Sequence, residues 1–95
     1  MAANAGLGVA RRFGENLRRA RQAAGLSQEA VGFAAELHRT EVGLLERGAR
    51  VPRIDTLIKL CRALAASPDS LLAGIRFEPG RVEVEPGSFN TEGER

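Results

Sequence analysis

The side chains in this 95-residue chain best equipped for chemistry are its arginines. Thirteen of the 14 basic residues are Arg, the exception being Lys59. A guanidinium is a planar fork of five donors. It matches two oxygens of a phosphate, or the O6 and N7 of a guanine, in a single bidentate contact. Arg39, Arg47, Arg50 and Arg53 fall in one short stretch. Residues 1–74 carry 11 basic and seven acidic side chains, a balance of +4, and residues 75–95 carry three and five, a balance of −2. A mildly basic body with an acidic tail points to a polyanionic partner. A GC-rich genome also enriches Arg, so composition alone leaves that partner open.

Other chemistry finds little support. His38 is the lone histidine, and its expected place is a turn or helix start, where it can touch phosphate. Cys61 is the lone cysteine, which excludes an internal disulfide and a multi-cysteine zinc site; it reads as a small buried hydrophobe. Neither a nucleophile–histidine–acid arrangement nor a glycine-rich phosphate loop is present, so no enzyme and no cofactor is expected. With no Trp or Tyr and four Phe, a stacking platform for single strands is not expected either. No apolar run reaches the roughly 18 residues of a membrane span. The uncharged start ahead of Arg11 and Arg12 inverts the order of a secretory signal. The expected compartment is the cytoplasm.

These residues must be held by helices. Residues 1–12 read as a flexible arm. Phe13, Leu17, Ala20 and Ala24 share one helical face, and Gly25 closes that helix. Ser27 caps a second helix that stops near Glu36, with Val31, Ala34 and Ala35 inward. A third begins at His38 or Arg39, turns Val42 and Leu45 inward, and ends at Gly48, ahead of the break at Val51 and Pro52. Ile54, Leu57, Ile58, Cys61 and Leu64 mark the stripe of a fourth helix, about 54–65. Ser67, Pro68 and Asp69 open a short fifth, closed by Gly74. Beyond it, 75–77 and 81–84 alternate around a Pro79-Gly80 turn and predict a small hairpin, with 86–95 disordered. The domain proper is then 13–74, and 75–95 is an acidic C-terminal extension.

Residues 27–48 carry the functional signal. They read as two short helices joined by a turn too tight for an antiparallel pair, so the helices must cross steeply, with Gly32 small at the crossing. That geometry leaves the outer face of the second helix of the pair, about 38–47, protruding, where it can enter a DNA major groove. Gly25-Leu26-Ser27-Gln28, the run Glu36 to Val42, Leu45-Glu46-Arg47-Gly48, Val51-Pro52, Thr56 to Leu64 and Ser67 to Gly74 agree in order and separation with a known pattern. The chain resembles the lambda-repressor/Cro-like helix-turn-helix family over about residues 13–74.

The resemblance implies an all-α, five-helix DNA-binding domain, here with a tail that forms a short β-hairpin. It implies that Gln28 holds a DNA phosphate where its helix begins. Arg39, Thr40, Gly43 and Leu44 would lie on the exposed reading side, with Arg39 and Thr40 at base edges. Arg47, Arg50 and Arg53 would take phosphates, and Arg21 would pair with Glu46 to tie the first helix to the third. Three residues depart from the pattern. Glu36 stands where the family's turn has Gly, at a cost of about 1 kcal/mol if the turn is left-handed. Gly43 weakens the reading helix, and Glu41 sets a negative charge near phosphates. The function implied is sequence-specific binding of double-stranded DNA in transcriptional regulation, by a homodimer on half-sites about one turn apart. The hairpin is the candidate for dimerisation or for a protein partner of the tail. The competing reading is a protein-interaction module that kept the fold and lost DNA.

Overall fold

The computed structural model describes residues 2–80 and 85–91. Five helices run in order, α1 Ala2–Ala23, α2 Gln28–Ala35, α3 Arg39–Glu46, α4 Ile54–Leu64 and α5 Pro68–Leu71, followed by strands β1 Arg76–Glu78 and β2 Ser88–Asn90.

Of the arm expected over 1–12, the described residues 2–12 are instead the start of α1. Ala-rich sequence favours helix, and Ala10 and Arg12 are buried, so tertiary packing holds this turn of the helix in place. The core gathers Phe13 and Leu17 of α1, Val31 and Ala35 of α2, Val42 and Leu45 of α3, Leu60 and Leu64 of α4, and Leu71. Burying each large side chain stabilises the fold by about 1.5–3 kcal/mol. Two glycines permit the close approaches that this small core needs. A Cβ on Gly14 would overlap the carbonyl oxygens of Leu45 and Glu46, so α1 touches the end of α3 backbone to backbone. A Cβ on Gly32 would stand 2.7 Å from the Leu37 carbonyl oxygen and 3.3 Å from Arg39 N, which is the expected close crossing. Asn16 ties α1 to the far end of the domain, donating to the carbonyls of Leu71 and Ala73, each at 2.9 Å.

The stripe expected on α4 turns partly outward. Thr56, Leu60 and Leu64 are buried and Leu57 and Cys61 are half-buried, but Ile54 and Ile58 are 73% and 62% exposed. Burial pushes the Cys61 thiol above its ordinary pKa, in keeping with its packed position.

The tail also departs from expectation. β1 pairs antiparallel with β2, Phe77 opposite Phe89, so the second strand falls in a segment expected to be disordered. The expected strand 81–84 lies outside the described residues. The two rings meet edge to face, 5.4 Å between centroids, which adds about 0.5–1.5 kcal/mol to a pairing too small to stand alone. The ribbon leans on α1, where Arg12 donates to the Thr91 carbonyl at 3.0 Å.

Candidate nucleic-acid interface

The turn between α2 and α3 sets the site. Ser27 caps α2 by accepting from Ala30 N at 3.0 Å. Glu36 ends it at φ 57° and ψ 45°, the left-handed conformation in which an L side chain is strained, with its N–H returning to the carbonyls of Gly32 and Phe33. Two residues later His38 caps α3. Its Nδ1 accepts from Thr40 N at 3.1 Å, so the ring proton sits on Nε2, which remains a donor. The first turn of α3 thus faces solvent at Arg39 and Thr40, both exposed, while His38 takes up the N–H groups of Thr40, Glu41 and Val42.

A buried carboxylate fixes α3 from behind. The side chain of Glu46 is fully buried and accepts from Arg21 Nε at 2.5 Å and Nη2 at 3.0 Å, a bidentate clamp from α1. Arg18 reaches it at 3.5 Å. Arg21 also donates to the Leu26 carbonyl at 2.9 Å, bracing the turn before α2. Burial pushes the Glu46 carboxyl up, but hydrogen bonds from Arg21 and Gln28 and the Arg21 charge outweigh it, and the carboxyl is held below its ordinary range. The same hydrogen bond raises Arg21. The ion pair expected from the sequence is therefore present, with Gln28 as a further partner.

Gln28 Nε2 donates to Glu46 Oε1 at 3.0 Å. An amide nitrogen carries two hydrogens, so one is committed to Glu46 and the second stays available to a phosphate. The four candidate arginines differ in their partners. Arg39 lies 3.8 Å from Glu29, a pair between two exposed side chains that is worth at most about 1 kcal/mol and exchanges easily for a phosphate or base. Arg50 pairs with Glu41 at 2.8 Å, which neutralises the acid that the sequence placed against the partner's charge. Arg53 pairs with Asp55 at 3.2 Å. Arg47 has no acidic partner among the described residues. Thr40 is exposed, whereas Leu44, expected on the exposed side, is half-buried.

Gly43 departs from the expectation that it would be exposed. It is buried, because the long side chains of Gln28 and Arg47 lie over it. Phe33 was missed by sequence reasoning. It is 87% exposed and lines a shallow cleft with Glu29, Leu37, His38 and Arg39, beside the start of α3. Its signal was a large apolar residue off the inward face of α2. Among the described residues no group of His, Cys, Asp and Glu could hold a metal, and no helix is long and apolar enough to cross a membrane.

A family described as a helix-turn-helix domain matches residues 12–73. The control protein C.BamHI of Bacillus amyloliquefaciens is 38% identical over 61 residues, 63% of this chain and 75% of that protein. The restriction-modification controller protein C.AhdI of Aeromonas hydrophila superposes with a TM-score of 0.63 at 42% identity, over 65% of this chain and 94% of that one. The P22 c2 repressor, solved with a synthetic operator, superposes with a TM-score of 0.61 at 32% identity, over 65% and 94%. All three are regulators rather than enzymes by description. The chain belongs to the helix-turn-helix domain family, among its lambda-repressor/Cro-like DNA-binding regulators of transcription.

Proposed function

We propose that this chain regulates transcription by laying α3 in the major groove of double-stranded DNA, with Arg39 and Thr40 at base edges. The carrying observation is the exposed N-terminal turn of α3, with Arg50 paired to its Glu41 and the helix tied at its other end by the Glu46 clamp. Arg39 suits guanine O6 and N7, and the Thr40 methyl suits a thymine methyl. Gln28, His38 and Arg50, and Arg53 at the start of α4, are the proposed donors for phosphates, which position the helix without reading sequence.

One such domain makes few contacts, so two copies on a palindrome, with half-sites about 34–36 Å apart, fit the task better than one. The apolar surface suited to pairing is formed by the exposed Val51, Ile54 and Ile58, since the tail ribbon is engaged with its own α1. A protein partner of the tail would use Phe77 and Phe89, both about half exposed. The setting proposed is the cytoplasm. Selection from random duplexes with the purified chain tests the reading. The expected result is an enriched palindrome whose binding weakens steeply with salt, and Arg39→Ala should lose about 1–3 kcal/mol and relax one base position. Failure to enrich any sequence at low salt would sink it.

A further inference from the structure

We infer that Arg47 reads a base edge, a guanine, from the centre of the groove-facing surface, and that Gly43 is the seat that lets it lie there. The inference rests on the reading that α3 enters the major groove. The helix fixes the geometry. At about 100° per residue, Arg47 projects within about 20° of Thr40 and about 40° of Gly43. The buried Val42 and Leu45 lie on the opposite side, with Glu46 at the flank. Side chains on a helix lean toward its N-terminus, so the long Arg47 chain runs back over the preceding turn.

The structure places it there. Nη1 of Arg47 lies 3.2 Å from the point where a Cβ on Gly43 would stand, and Oε1 of Gln28 lies 3.5 Å from the same point. The two side chains cover Gly43, which is why a glycine on the outward face is buried. Arg39, Arg50 and Arg53 each have an acid within ion-pair distance. Among the described residues none holds Arg47. A guanidinium at the middle of the inserted face meets base edges, while phosphates line the walls to either side. The fork of Arg fits guanine and no other base as well.

The experiment uses the full chain and the site it selects, with each base pair of that site replaced in turn. Binding is measured across a salt series for the parent, R47A, R47K and G43A; Arg47 is exposed, so its variants keep the fold. R47A should lose about 5- to 150-fold on the selected site, confined to one G·C pair, with little change on duplexes already altered there. R47K keeps the charge and the salt slope and should still lose the guanine preference, since an ammonium has no fork. G43A adds a methyl group against Nη1. It should raise the melting temperature, as Ala favours helix over Gly, yet weaken the same preference. Uniform weakening of R47A on every duplex, with the salt slope reduced by about one, would make Arg47 a phosphate contact and overturn the inference while DNA reading stands. No selected site for the parent would remove both. Full guanine preference in G43A would overturn the part given to Gly43.

Discussion

Glu46→Ala removes the single carboxylate on which α1, α2 and α3 converge. Its side chain is fully buried, and the Arg21 guanidinium that clamps it is only 15% exposed. Truncation leaves that guanidinium largely desolvated with no counter-charge, and strands the Nε2 donor of Gln28. Breaking a buried pair in this way costs about 3–5 kcal/mol. A domain of this size has about 5–15 kcal/mol in all, so the variant should lose about a fifth of its stability or more. The melting temperature should fall by more than about 12 °C. Glu46→Gln keeps the shape and one acceptor and should lose less, about 1.5–3 kcal/mol. Urea unfolding followed by circular dichroism reads both values. A loss below about 1 kcal/mol for Glu46→Ala would refute the argument that this buried pair holds α3. The same carboxylate sets a pH dependence. Its folded pKa lies below the unfolded value of about 4.3, so its contribution is complete above that value. It is lost as pH falls through the lower, folded value. The parent should therefore weaken in acid more steeply than Glu46→Gln.

Glu36→Gly should stabilise the domain by about 0.5–1 kcal/mol, because relief of left-handed strain of about 1–2 kcal/mol exceeds the added flexibility of the unfolded chain; thermal melting checks the sign. Ile54→Ser with Ile58→Ser should shift sedimentation toward monomer while leaving the melting temperature of a dilute sample nearly unchanged, since both side chains are exposed. Asn16→Ala strips a buried donor from the carbonyls of Leu71 and Ala73 and should cost about 1–3 kcal/mol in urea unfolding.

The helix pair was legible because its signals are local. Ser27 is a cap by type, Gly32 is the small residue a steep crossing demands, and Glu36, which stands where the family's turn has Gly, proves left-handed. The Arg21–Glu46 pair was visible only through the family resemblance, since 25 residues separate its ends. The α4 stripe misled because periodicity defines an apolar arc and not which part of it faces inward. Ile54 and Ile58 lie at the outer edge of that arc, and Leu60, absent from the expected set, lies near its buried centre. Gly43 misled because its own position is outward, and only the reach of Gln28 and Arg47 covers it. The partner of β1 was beyond local signals. Ser88, Phe89 and Asn90 carry little alternation, and their pairing follows from the Phe77–Phe89 contact and the support of α1.

The ribbon's hold on α1 moves the working boundary of this domain. The family match stops at residue 73, and a fragment trimmed there would look complete by comparison with its relatives. It would nevertheless expose the flank of α1 that β2 shelters and cut away the carbonyl that Arg12 grips. Screens, crystallisation trials and fusions made on the shorter piece would thus present a flank that the intact chain keeps covered.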